Sequence, residues 1–162
     1  MQDIIAEINK QEKQISKKQE QERKSMMDER ELNFVEWQKT VPDTVRSEKF
    51  WSLAYQKALY LYDLLWQDTE IWLKDDRGQI LSKQIIGSAD AVCSNIEEGY
   101  GRGYGKQVLQ FYGYSLGSAR GTKGRLYRAK AFYPPEILSR RLSLASEVVA
   151  LVLTEINRQK FR

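Results

Sequence analysis

At 162 residues, 41% apolar and 30% charged, the chain is long enough for one domain of ordinary size with its own core. It has no histidine and one cysteine, Cys93. That removes the usual general base at neutral pH, the Ser-His and Cys-His nucleophile pairs, an intramolecular disulfide and the usual donors of a zinc site. The net charge of +4 is unevenly spread, with seven basic and no acidic side chains in residues 99–133.

The first element in chain order is a helix over residues 1–32, rich in Gln, Glu, Lys, Ile and Met and free of Gly and Pro. Ile4, Ile8 and Ile15 lie near one face, but Lys17 to Arg30 is polar apart from Met26 and Met27. A helix that is polar all round is not held by its own packing. The segment 1–45 therefore reads as a charged arm, projecting or loosely docked, that buries little, with about residues 1–40 dispensable for folding. Pro42 marks its boundary with a core domain over 46–162.

Four longer helices follow. The first is expected from about Ser47, as N-cap, to Trp66, with Trp51, Ala54, Ala58, Leu61 and Leu65 on a buried stripe. Asp75 and Asp76 read as a solvated connector. The second runs from about Gln79 to Glu98, with Leu81, Ile85, Ala89, Val92 and Ile96 inward and Gly99 as the residue that ends it. The third runs from Tyr104–Lys106 to about Phe132. Pro134 and Pro135 stop it and open the fourth, which carries Ile137, Leu138, Leu142, Ala145, Val148, Val152 and Ile156. No segment alternates with period two. The fold class is all-α: an antiparallel up-down four-helix bundle with an N-terminal helical arm.

Two constellations stand out. The loop GYGRGYG, Gly99 to Gly105, has a glycine at every second position and leads into the third helix beside Arg102 and Lys106. Free backbone N–H groups and two cations there suit a phosphate, and Tyr100 and Tyr104 suit base stacking. Equally, the glycines permit a tight reversal against which the tyrosines pack. On the third helix, Gly113, Gly117, Gly121 and Gly124 share a sector of about 80°. Four helical glycines cost roughly 3–4 kcal/mol against alanine. Either a close-packed helix from the arm or a second copy offsets that cost, or the sector is a smooth cationic groove for a nucleic-acid backbone. Asn95 and Glu98 read as structural partners of the loop amides or of another helix, and Cys93 as a small core residue.

The nonapeptide Ser94-Asn95-Ile96-Glu97-Glu98-Gly99-Tyr100-Gly101-Arg102 closely resembles the SNIAEGYGR signature of the bacterial four-helix-bundle proteins known as 23S rRNA intervening-sequence proteins. Around it, Trp51, Ala54, Lys57, Ala58, Leu61, Tyr62 and Leu64 resemble that family's first-helix pattern. Leu81, Gln84 and Ile85 resemble its L-T-x-Q-I, and Phe111 with Leu116-Gly117-Ser118 its third-helix F…LGS. The chain departs from the pattern at Cys93 (usually Pro), Tyr104 (Ser), Gln107 (Glu), and Gly121 and Lys123 (an acidic pair), which makes the third helix more basic. The long arm is outside the usual family length. The resemblance implies homopentamers without established enzymatic activity. It also implies a similarity to the accessory proteins of diversity-generating retroelements, which bind a reverse transcriptase and its RNA.

The expected function is thus non-catalytic, with no metal and no cofactor: an oligomeric protein that binds RNA or a ribonucleoprotein. The expected RNA contacts are Arg102, Lys106, Arg120, Lys123, Arg125, Arg128, Lys130, Tyr100 and Tyr104, with the four third-helix glycines as oligomer interface. The alternative is a protein-interaction adaptor docking a partner through the arm and the glycine face. No apolar run approaches the ~20 residues of a membrane helix. The opening MQDIIAEINKQEKQ lacks a secretory pattern, so the expected location is cytoplasmic.

Overall fold

A computed structural model describes residues 1–103 and 105–160, apart from the side chain of Asp3. Its elements are α1 (Gln2–Arg30), α2 (Phe34–Thr40), α3 (Asp43–Arg46), α4 (Leu53–Glu70), α5 (Asp76–Gly101), α6 (Lys106–Arg128) and α7 (Pro135–Lys160). Short 3₁₀ turns at Ile71–Lys74 and Lys130–Phe132 join α4 to α5 and α6 to α7. No strand occurs among the described residues, as the absence of period-two patterning requires.

The stripes read from periodicity form the core. Ala54, Ala58, Leu61 and Leu65 of α4, Ile85, Ala89, Val92 and Ile96 of α5, and Ile137, Ala145, Val148 and Val152 of α7 belong to one buried cluster. The fourth wall is the row Val108, Tyr112, Ala119 and Leu126 of α6. In packing, α5 touches α4 and α6, and α7 touches α4 and α6.

Several boundaries differ from the sequence reading. The cap of α4 is Ser52, whose hydroxyl accepts from the Tyr55 amide, and not Ser47, which ends α3. Asp75 is no idle connector. Its carboxylate accepts from the Arg77 and Gly78 amides and caps α5, which is why α5 begins three residues early. Gly99 does not end α5 either; the helix runs through to Gly101. A Cβ at Gly99 would stand 3.2 Å from Cβ of Phe111, so α6 packs tightly against α5 at this glycine. The third helix stops at Arg128 and its continuation tightens into the 3₁₀ turn before the prolines.

The arm divides in two. Residues 4–23 are exposed throughout. From Lys24 onward, α1 docks on α4 and α7 through Lys24–Glu136, Asp28–Arg140, Arg30–Glu70 and Glu31–Arg141 pairs, with Met27 buried in the core. The capping box of Asn33 and Glu36 then starts α2. Trp37 and Val41 pack on Tyr60 and Leu64 in a second apolar cluster. The expectation that the whole arm buries little is therefore corrected: its second half is part of the packed structure.

That docking rests on a buried ionic cluster. Asp68 of α4 and Arg141 of α7 are each 2% exposed. Arg141 donates from Nε and Nη2 to the two Asp68 oxygens at 2.7 and 3.0 Å, and from Nη1 to Glu31 at 3.0 Å. Tyr133 donates its hydroxyl to Asp68 at 2.9 Å. Burial works against the Arg141 charge, yet the hydrogen bonds and charge of Asp68 outweigh it and raise its pKa. Burial, reinforced by Asp68, likewise holds the Tyr133 phenol protonated well past its ordinary value.

Candidate nucleic-acid interface

Hydrogen bonds fix α6 in rotation. Ser115 donates its hydroxyl to the Val92 carbonyl at 2.8 Å, and the Thr122 and Ser88 hydroxyls lie 2.9 Å apart. With Val108, Tyr112, Ser115, Ala119, Thr122 and Leu126 all buried, the opposite face is committed to the surface. That face carries the four glycines.

No helix among the described residues covers Gly113 or Gly117. A Cβ built on Gly113 or Gly117 would meet nothing within 4 Å. One built on Gly121 or Gly124 would meet only the guanidinium group of Arg125 or Arg128. The arm docks elsewhere, on α4 and α7. Within one copy the glycines therefore pave an open surface.

The predicted loop is shorter than its sequence suggests. Gly99 and Gly101 belong to α5, and between α5 and α6 Gly103 and Gly105 have positive φ. Gly105 is the N-cap of α6 and supplies no side-chain cap. Arg102 is held by Glu98 at 3.3 Å and lies over the Phe111 ring, 5.4 Å from its centroid. Tyr100 leans on Phe50, their ring centroids 6.3 Å apart. Tyr104 lies outside the described residues. Asn95 donates to the Ala91 carbonyl, and Glu98 turns to Arg102, so neither holds a loop amide. Glu97 accepts from the Tyr55 hydroxyl at 2.7 Å. Cys93 is buried, which raises its thiol pKa.

Lys106, Arg120, Lys123, Arg125, Arg128 and Lys130 make no ion pair among the described residues, and all but the half-buried Arg125 are exposed. Residues 47–98 carry nine acidic and five basic side chains, yet none of those carboxylates pairs with these six cations among the described residues. They are not one cluster, however. Arg125 faces α5 and shares a shallow groove with Lys83, Gly87, Ser88, Gly113 and Gly117. Arg120 and Lys123 face α7 and line a second groove with Gly124, Tyr127, Leu142, Ser146 and Val149. Arg128 lies over Gly124, and the Lys130 ammonium sits 4.7 Å from the centre of the Tyr127 ring. Sequence reasoning missed Tyr127 and the α7 wall. The signal was present: Arg120, Lys123, Gly124 and Tyr127 stand at i, i+3, i+4 and i+7.

Residues 51–151 match the family model described as 23S rRNA-intervening sequence protein, which spans α4 to most of α7. The chain belongs to this family. The matched span includes the whole of α6 and both of its grooves, and leaves out α1, α2 and α3. The signature peptide expected from the sequence lies at the α5–α6 junction, where Gly99 permits the close approach and Arg102 begins the turn. No curated protein and no solved structure matched in the corresponding comparisons. No helix among the described residues is long and apolar enough to cross a membrane.

Proposed function

We propose that the protein is a non-catalytic, oligomeric RNA-binding member of this family, with α4 to α7 arranged as an antiparallel up-down four-helix bundle. On this reading it acts as an accessory to a ribosomal RNA or reverse-transcriptase complex. The single observation that supports this most is the set of six cations on and beside α6 that make no ion pair among the described residues. Cations spread over the two sides of one helix suit a phosphate backbone, which binds by releasing counterions and carries little sequence information. Affinity for a labelled structured RNA, read by fluorescence anisotropy, should fall steeply between 50 and 200 mM salt. Replacing Arg120, Lys123 and Arg128 together by Gln should flatten that slope while leaving the helical circular dichroism unchanged. Absence of binding by the wild type even at ~50 mM salt would remove the reading.

The oligomer part of the proposal rests on the α5 side of α6. Gly113 and Gly117 stand beside Gly87 and Ser88, all without bulk, and a second copy can approach closely there. Light scattering should return a mass several times 19.0 kDa, a pentamer by family resemblance. A monomer at micromolar concentration would count against it. The exposed row Ile4, Ile5, Ile8 and Ile15 on the free half of α1 is the observation that favours the adaptor reading instead, with the arm docking a protein partner.

A further inference from the structure

We infer that the groove between α6 and α7 is a site for single-stranded RNA, in which Arg120 and Lys123 hold phosphates while Tyr127 stacks on a base. The inference rests on the RNA reading above and assigns that binding to one side of α6. Three features converge there. Arg120, Lys123 and Tyr127 project from one face of α6 over about 10 Å of helix. Gly124 adds no side chain to the groove wall, and the Arg128 guanidinium lies over it. The opposite wall is apolar at Leu142 and Val149, and the same groove continues past Lys123 along Leu138, Ser139 and Ser143.

Each part fits one component of a nucleotide. The cations suit phosphate oxygens. Tyr127 is 57% exposed, a large aromatic face left in solvent at the edge of an apolar strip, as base stacking requires. The Lys130 ammonium lies over one face of this ring, 4.7 Å from its centroid, so a base stacks on the other face with a third cation across the ring. Ser139, Ser143 and Ser146 follow one line of α7. Ser146 donates its hydroxyl to the Leu142 carbonyl at 2.8 Å, leaving its oxygen free to accept from a ribose 2′-hydroxyl. No carboxylate lines either stretch of the groove. A duplex keeps its bases stacked on one another and offers this groove only its backbone. The α5 side of α6 has the cations Lys83 and Arg125 but places Tyr114 beside glycines, with no comparable apolar wall.

The test uses the full chain and two probes, a labelled single-stranded oligoadenylate of about a dozen nucleotides and an RNA duplex of the same length. Tyr127→Ala should weaken binding of the single strand about tenfold. It should leave duplex binding and the salt slope of both unchanged, because the ring carries no charge. Tyr127→Phe should bind as the wild type does, since it keeps the stacking face. Wild-type affinity of Tyr127→Ala for the single strand overturns the inference and leaves the RNA reading standing. Equal losses on both probes overturn it too, because they would mark a structural effect of the ring. A wild type that binds neither probe removes the RNA reading and this site with it.

Discussion

Replacing Asp68 by Ala is expected to destabilise the protein by about 3–5 kcal/mol, on the order of a 10 °C fall in melting temperature. Asp68 supplies both carboxylate oxygens to a guanidinium that is itself out of water. Its loss leaves Arg141 buried with Glu31 as its remaining described partner, and Tyr133 with an unsatisfied hydroxyl. An unpaired buried charge is among the most costly defects a core can carry. The pair itself need not be strongly stabilising, because desolvation offsets much of the attraction. Changing Asp68→Leu, Tyr133→Phe and Arg141→Met together should therefore recover most of what Asp68→Ala loses. Urea unfolding followed by circular dichroism separates the two variants. A cost below ~1 kcal/mol for Asp68→Ala would show that the cluster is hydrated in solution.

This cluster also marks where sequence reading ends. The helical stripes were legible because a 3.6-residue repeat of Ala, Leu, Ile and Val is a local signal, and Ile85, Ala89, Val92 and Ile96 are all buried as that repeat requires. Arg141 was not legible. It sits in a charged run with Arg140, one buried and one exposed, and its carboxylate partner lies 73 residues away. Capping was ambiguous for a different reason. Ser47 and Ser52 are both competent N-caps, and the choice falls to Ser52 because Asp43–Arg46 forms a turn of its own that Ser47 closes. Gly99 illustrates competition between two meanings of glycine. Its sequence position suggests a helix end, whereas the close contact with Phe111 favours a residue without a side chain inside the helix.

The candidate site was legible in charge and not in shape. Seven cations without an anion were visible as a block, yet they divide between two sides of α6 and a turn. The stacking residue also differs from expectation. Tyr100 was chosen because it stands in a glycine-rich loop, but Phe50, far away in sequence, occupies its flank. Tyr127 lies in a plain helical stretch, and only the gap between α6 and α7 reveals that it borders a groove.

Cutting the arm at two places should give opposite results. Deleting residues 1–20 removes side chains that are exposed at every described position, so the melting temperature should move by no more than a few degrees. Changing Trp37→Ala, seventeen residues further on, should cost about 3–5 kcal/mol. Trp37 is 5% exposed, packs on Phe34, Tyr60 and Trp51, and donates its indole N–H to Asp63 at 2.7 Å. Removing the ring opens a cavity in the second apolar cluster and strips a half-buried carboxylate of its donor. Trp37→Phe separates these effects. Burial raises the Asp63 pKa and the Trp37 hydrogen bond lowers it part of the way back, so Phe at this position should raise it further. An acid whose folded pKa is elevated contributes stability that is fully present below its unfolded pKa and lost as pH rises through the folded value. The Trp37→Phe protein should therefore lose more stability than the wild type between mildly acidic and neutral pH, and a carboxyl titration by NMR should report the upward shift at Asp63. If Trp37→Ala melts with the wild type, the second half of the arm is not part of the cooperative unit and the docked arrangement of α2 is wrong.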